Sequence, residues 1–149
     1  MARTLRQQLG DFGEDIVVRR RDCPRCKRVK PLKKLPPNFR CADVICDFCG
    51  YLAQVKASSV ERIDVPPPRV MGAAWGPQEE RMKAGIYFPM FLVLRAERQH
   101  SIWYLSADLQ GVEMFEPRKP LSSTARRANW QGFVYRLDRL TTGGLVRLE

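Results

Sequence analysis

Four cysteines carry the clearest chemistry in the sequence: Cys23, Cys26, Cys46 and Cys49, spaced Cys-x2-Cys-x19-Cys-x2-Cys. Two such pairs can each offer two thiolates to one ion, closing a tetrahedral site with bonds of about 2.3 Å. The alternatives are a reduced redox pair or disulfides, and an intracellular chain disfavours disulfides. Four thiolates leave no open position for water, so the expected zinc is structural and helps fold the loop between the pairs. Gly50 follows the second pair, where a positive φ is easily placed. The leftover Cys41 is expected to be a small buried residue.

A second constellation overlaps the first. If the second cysteine pair is the turn of an antiparallel hairpin centred between Phe48 and Cys49, Asp43 lies opposite Gln54. Side chains alternate along a strand, so Gln54 and Lys56 share a face with Asp43, while Ala53, Val55 and Ala57 form an apolar face. The polar face suits phosphodiester hydrolysis. That reaction needs an in-line water, a stabilised dianionic transition state and help for the leaving oxygen, much of which a hard divalent cation supplies. Asp43 offers Mg²⁺ an anionic oxygen and the Gln54 carbonyl a neutral one; waters and phosphate oxygens complete the octahedron. Lys56 can orient or help deprotonate the water, or neutralise the phosphate. Glu14 and Asp15 lie just upstream; they read either as surface acids or as a source of one more carboxylate for the metal. Taken alone, the pattern reads first as a zinc hairpin with a polar outer face.

The elements around these residues follow from periodicity and breakers. Leu5, Leu9, Phe12, Ile16 and Val17 recur at helical spacing, which predicts a helix from about Thr4 to Arg20, with Gly10 and Gly13 either weakening it or marking close packing. Lys27 to Phe39, with Pro31, Pro36 and Pro37, reads as a basic loop. Strands are expected over 41–46 and 51–58, a rigid segment at Val65 to Pro68, and a short helix over 77–84 with Pro77 in its first turn. Further strands are expected over 86–94, 101–105, 133–137 and 145–148. Pro89 suggests a bulge or edge in the first of these, and His100, the single histidine, a turn cap. A helix followed mostly by strands argues for an α+β fold.

Composition bounds the partners. A chain of 149 residues, 44% apolar, is most simply one domain with an ordinary core. The N-terminus is too polar for a signal peptide, and the longest uncharged apolar run, Gly85 to Leu94, is too short for a bilayer, so a soluble cytoplasmic protein is expected. The net charge is +10, and Arg19 to Lys34 holds nine Lys or Arg against one acid, Asp22. Such asymmetry suits nucleic acid better than a membrane; a solvated basic face is the plainer reading.

Four stretches occur in one order: Glu14-Asp-x-Val17, Cys23-Pro-x-Cys26, Ala42-Asp-x-x-Cys-x-x-Cys49 and Arg118-Lys-Pro-Leu-x-x-Thr-Ala-Arg-Arg-Ala-x-Trp-x-Gly132. Together, from Leu9 to Leu137, they resemble the DpnI-like family of methyl-directed type II restriction endonucleases. The resemblance implies a PD-(D/E)XK core, a central mixed sheet flanked by helices, with an inserted four-cysteine zinc knuckle. It implies cleavage of duplex DNA carrying N6-methyladenine in GATC, using an Asp, a Glu-x-Lys and a divalent metal. These fall on Asp43, Gln54 and Lys56, and the zinc ligands on Cys23, Cys26, Cys46 and Cys49. Two departures stand out. Gln54 replaces the second carboxylate, as in Mrr-like branches of the superfamily, and the family's winged-helix domain has no counterpart before Glu149. The domain expected is therefore a single nuclease core over 1–149.

In the last stretch, Arg118, Lys119, Arg126 and Arg127 are candidate DNA contacts around Trp130, with Arg136 nearby. Ser122, Ser123 and Thr124 read as a helix cap, and Trp130 as core rather than contact. The leading function is a metal-dependent DNA endonuclease. A basic zinc domain that holds nucleic acid without cutting is the alternative, as is a nuclease subunit served by a separate specificity chain. A homodimer cutting both strands is also open.

Overall fold

The computed structural model describes residues 3–39, 42–141 and 143–149, so Cys41 lies outside the described residues. These residues fall into two compact units. The first comprises residues up to Val65, Phe88–Ala107 and Leu145–Glu149; the second comprises Pro66–Tyr87 and Asp108–Gly144.

The first unit opens with helix α1, Leu5–Arg20. Thr4 caps it: its hydroxyl accepts from Gln7 N at 3.1 Å, and the Gln7 side chain accepts from Thr4 N at 2.9 Å. Arg19 and Arg20 sit in the last turn, where the helix dipole favours cations. The buried side of α1 is narrower than its periodicity suggests. Gly13, Ile16 and Val17 are buried, whereas Leu5 is 84% exposed.

A six-stranded mixed sheet lies under α1, in the order β1 (Leu32–Lys34), β2 (Val44–Cys46), β3 (Leu52–Ser59), β5 (Met90–Ala96), β6 (Gln99–Leu105), β9 (Val146–Arg147). Only β3 and β5 run parallel. A parallel pair needs a crossover connection, and here the connection includes β4 (Arg69–Ala74) and α2 (Trp75–Lys83) of the second unit. α1 approaches β3 closely: a methyl placed on Gly13 would lie 2.9 Å from Ala57 Cβ and 3.6 Å from Val55 Cγ1. Of the two readings of Gly13, close packing is the one observed. Ile16, Val17, Val44, Ala53, Val55, Phe91, Val93 and Ile102 form one core cluster. Met90, Leu92 and Leu94 are buried as well, so β5 is buried on both faces, as a central strand should be.

Several local expectations are corrected. The basic loop contains β1, paired to β2. Pro89 lies just before β5 rather than within it; its carbonyl accepts from Gln54 N at 2.8 Å, and the strand is central, not an edge. Residues 86–89 are therefore not strand, because a proline cannot donate to the ladder. His100 caps no turn: it lies in β6, where Nε2 pairs with Glu149 Oε2 at 2.7 Å. The turn itself is Glu97-Arg98, with Glu97 left-handed at φ 54°.

The second unit is built on an antiparallel sheet ordered β4, β8 (Gly132–Arg136), β7 (Phe115–Pro117), with α2 beside β4. Short segments without alternation, β4 and β7 escape a sequence reading. The ring of Phe133 occupies the space that a side chain at Gly72 would need, 2.4 Å from its would-be Cβ. Phe115, Phe133 and Tyr135 pack with ring centroids 5.0 to 5.8 Å apart, which is good aromatic geometry.

Candidate functional site

The two Cys-x2-Cys turns repeat one another bond for bond. Cys26 N donates to Cys23 Sγ, and Cys49 N to Cys46 Sγ, both at 3.5 Å. Lys27 N donates to Cys23 O, and Gly50 N to Cys46 O, both at 3.0 Å. Cys23 N reaches Arg28 O at 3.1 Å, and Cys46 N reaches Tyr51 O at 2.8 Å. The residue after each turn is left-handed, Lys27 at φ 64° and Gly50 at φ 76°. Aromatic and cationic side chains join the turns: the Arg28 guanidinium lies 4.1 Å from the Phe48 ring centre, and Arg25 lies 5.2 Å from that of Tyr51.

This pairing gathers four sulfurs within 4.8 Å of one another. Cys23 Sγ lies 3.6 Å from Cys49 Sγ, and Cys26 Sγ lies 3.7 Å from Cys46 Sγ. Thiolates bonded at 2.3 Å to a tetrahedral ion sit about 3.8 Å apart, so these cysteines can hold a metal ion and their geometry fits zinc. Burial pushes the Cys23 thiol up to about 11. Burial also opposes ionisation of Cys46, but the N–H groups of Cys49 and Phe48 outweigh it and bring that thiol down to about 6.

The second turn links β2 to β3 in the expected register. Val44 pairs with Ala53 and Ile45 with Leu52; the ladder ends there, and the expected Asp43–Gln54 pair does not form, since Asp43 N bonds Ala53 and Gln54 N bonds Pro89. Asp43 sits in a bend at the entry to β2 and is held from three sides. Its N–H donates to Ala53 O at 3.0 Å, its carbonyl accepts from Leu35 N at 2.9 Å, and its carboxylate Oδ2 accepts from Val55 N at 2.7 Å. The side chain thus takes over a ladder bond at the end of the hairpin. Along β3, Ala53 and Val55 are buried, while Gln54 and Lys56 are half-buried, so the alternation expected of the hairpin is present.

Glu14, on α1, is electrostatically coupled to Asp43. Partial burial is the main cause of its raised pKa, about 7, and the negative charge of Asp43 is the next. The same α1 turn carries Asp15, whose Oδ1 accepts from Lys34 Nζ at 2.9 Å. The Asp15 bond holds Lys34 above its usual value, and the Lys34 charge in turn favours ionised Glu14. Lys34 is the residue that the sequence reading missed, because β1 was hidden in an apparent loop. Its only signal is a two-residue lysine run between prolines.

The basic residues of the last stretch lie in the second unit. Arg118, Lys119, Arg126 and Arg127 are all exposed. No helix forms there. Ser122 to Asn129 make a loop closed by Leu121 N to Trp130 O at 2.9 Å and Asn129 N to Leu121 O at 3.2 Å, so Ser122, Ser123 and Thr124 cap no helix. Trp130 is half-buried rather than core; its ring covers Gly132, and the Arg127 guanidinium lies 4.5 Å from its centre. Arg136 is committed elsewhere, to Asp138 at 2.7 Å and Glu116 at 3.1 Å.

No helix is long and apolar enough to cross a membrane among the described residues. Comparison with curated proteins returns no match. A family profile does match: that of DpnI, the Dam-replacing family, over residues 3–148. That span takes in both cysteine pairs, Asp43 and the Arg118–Gly132 loop. The chain therefore belongs to the DpnI family, and with it to restriction-related proteins that act on DNA.

Proposed function

We propose that the chain is a metal-dependent endonuclease that hydrolyses phosphodiester bonds of duplex DNA, with Asp43, Gln54, Lys56 and Glu14 as its active site. The observation that carries the reading is the coupling of Glu14 to Asp43: a helix and a hairpin bring two carboxyl groups within electrostatic reach of one another. Two acids that repel, with the amide of Gln54 one residue along β3 from Ala53, the partner of the Asp43 N–H, form a hard oxygen donor set. Such a set fits a divalent cation such as Mg²⁺. Asp43, Gln54 and Glu14 would hold that ion. When bound, it would supply charge for the phosphate and a lowered pKa for an attacking water.

The protein groups then have separate tasks. Asp43 is positioned by the Val55 N–H, which leaves its other oxygen, Oδ1, for a ligand. Without the ion, burial and Asp43 raise Glu14 to about 7; a bound cation would favour its carboxylate form as a ligand. Lys56, on the strand face of Gln54, neutralises the scissile phosphate or orients the water. We read the first unit as the PD-(D/E)XK core, supported by α1 packed on a mixed sheet with a parallel pair at its centre. Duplex DNA carrying N6-methyladenine in GATC is the substrate implied by the family, and Arg118, Lys119, Arg126 and Arg127 are proposed contacts to it. Zinc is assigned to the four cysteines in a purely structural role.

The test is a cleavage assay on adenine-methylated and unmethylated plasmid with Mg²⁺ or Mn²⁺. Asp43→Ala and Lys56→Ala are each expected to lower the rate at least about a hundredfold. Intact plasmid under every metal condition would reject the reading. A second reading, a module that holds DNA without cutting it, is favoured by Gln54, whose neutral amide contributes one anion fewer than a carboxylate. Salt-sensitive binding with no hydrolysis would select it.

A further inference from the structure

The basic run from Arg19 to Lys34 is left unused by the site just described, and its central part has an unusual backbone. Lys27 and Lys30 are both left-handed, at φ 64° and 49°. Side chains other than Gly, Asn and Asp rarely adopt that region. At Lys27 the sister turn supplies a comparison within the same molecule. Gly50 occupies the equivalent place, with the same hydrogen bonds and no steric penalty. The fold therefore does not require a lysine at 27, yet it carries one under strain.

The backbone at both lysines is held in place. Lys27 N is bonded to Cys23 O, Arg28 O closes the turn on Cys23 N, and Lys30 N donates to Asp22 Oδ1 at 3.2 Å. Arg28 between them rests on the Phe48 ring, which is itself 64% exposed. Among the described residues, no ion pair engages Arg25, Lys27, Arg28 or Lys30, whereas Arg20, Arg21 and Lys34 are paired to acids. The result is a solvent-facing set of unpaired cations on a hydrogen-bonded backbone at the cysteine turns. A fixed backbone limits where these cations can reach, and phosphates arrayed along a nucleic-acid backbone are the partner such a set fits.

We propose that the paired cysteine turns form a phosphate-backbone clamp for duplex DNA, with Lys27, Arg28 and Lys30 as its contacts and Phe48 as the platform that orients Arg28. This rests on the DNA-acting reading above and adds a binding surface in the first unit. The contacts are sequence-independent, so the clamp sets affinity and salt dependence, not the recognised site.

The test uses the zinc-loaded chain without added divalent cation, so that DNA stays intact, and measures binding to a duplex across a salt series. In Lys27→Gly/Lys30→Gly, the strain is relieved while two charges are lost. The expected result is unchanged zinc content, an equal or higher melting temperature, and a salt slope shallower by about 1.8, or roughly 0.9 per lost phosphate contact. The control pair Arg6→Gln/Arg98→Gln removes the same charge from exposed positions elsewhere and should leave the slope nearly unchanged. An unchanged slope in the glycine variant overturns the clamp, as does an equal loss in the control. A lower melting temperature also overturns it, because the lysines would then serve the fold. If wild type binds no duplex at all, the DNA-acting reading falls together with the clamp. If wild type binds and cuts but the slope does not move, the clamp alone falls.

Discussion

Glu14 is the residue whose behaviour is most open to measurement. Its folded pKa of about 7 exceeds the ordinary 4.5, with burial as the first cause and the charge of Asp43 as the second. The folded state therefore binds more protons than the unfolded chain between those two values. Stability from this group is fully present below pH 4.5 and is lost as pH rises toward 7. Glu14→Gln removes the penalty. Without added divalent cation, the variant should match wild type near pH 4.5 and be more stable at pH 8. Allowing for the group's partial exposure, the gain is on the order of 1 kcal/mol, read as melting temperature against pH. Added Mg²⁺ should shrink that gain, because a bound cation would stabilise the two anions in wild type. Glu14 is legible in sequence only as an acid near an apolar helix face. Its coupling to Asp43 depends on the approach of α1 to β3, which no local pattern encodes.

At the scale of elements, two contacts decide the site's geometry. The first is the approach of α1 to β3 at Gly13. Gly13→Ala would gain about 1 kcal/mol of helix propensity, but its methyl would meet Ala57 Cβ, an atom fixed to the strand backbone, at 2.9 Å. Overpacking of this kind outweighs the gain. A net loss of roughly 1 kcal/mol is expected in chemical denaturation, with cleavage reduced as α1 shifts Glu14. The second contact is the cysteine cluster. Cys46→Ser should release zinc in a colorimetric assay and destabilise the fold by at least about 3 kcal/mol, since metal binding is coupled to folding of the turns. The centre of the hairpin was readable in advance, because the cysteine spacing marks the turn and the alternation on β3 marks the faces, but its ladder stops at Val44 and Ala53, short of Asp43 and Gln54. β1 was not readable: its three residues pair only because β2 supplies a partner. β5 starts four residues later than expected and ends two later, because the apolar run from Ile86 to Pro89 precedes the strand and Pro89 has no N–H to donate to the ladder.

Taken whole, the chain divides its tasks between two units with different legibility. The first unit holds the cysteine cluster and all four proposed catalytic residues. These rest on spacing and alternation, which sequence expresses directly. The second unit holds Arg118, Lys119, Arg126 and Arg127 on a loop closed by backbone bonds. Composition could mark that stretch as basic and unusual, but not as a loop, since its closure uses main-chain groups common to every residue. The register of the metal hairpin carries one further consequence. β2, the cysteine turn and β3 form one continuous ribbon, so the pairing of Val44 with Ala53 is counted from Cys46 and Cys49. A single residue inserted between Gly50 and Gln54 would turn Gln54 and Lys56 inward toward α1 and bring Val55 outward. On this short ribbon a change in length is also a change in which side chains face α1.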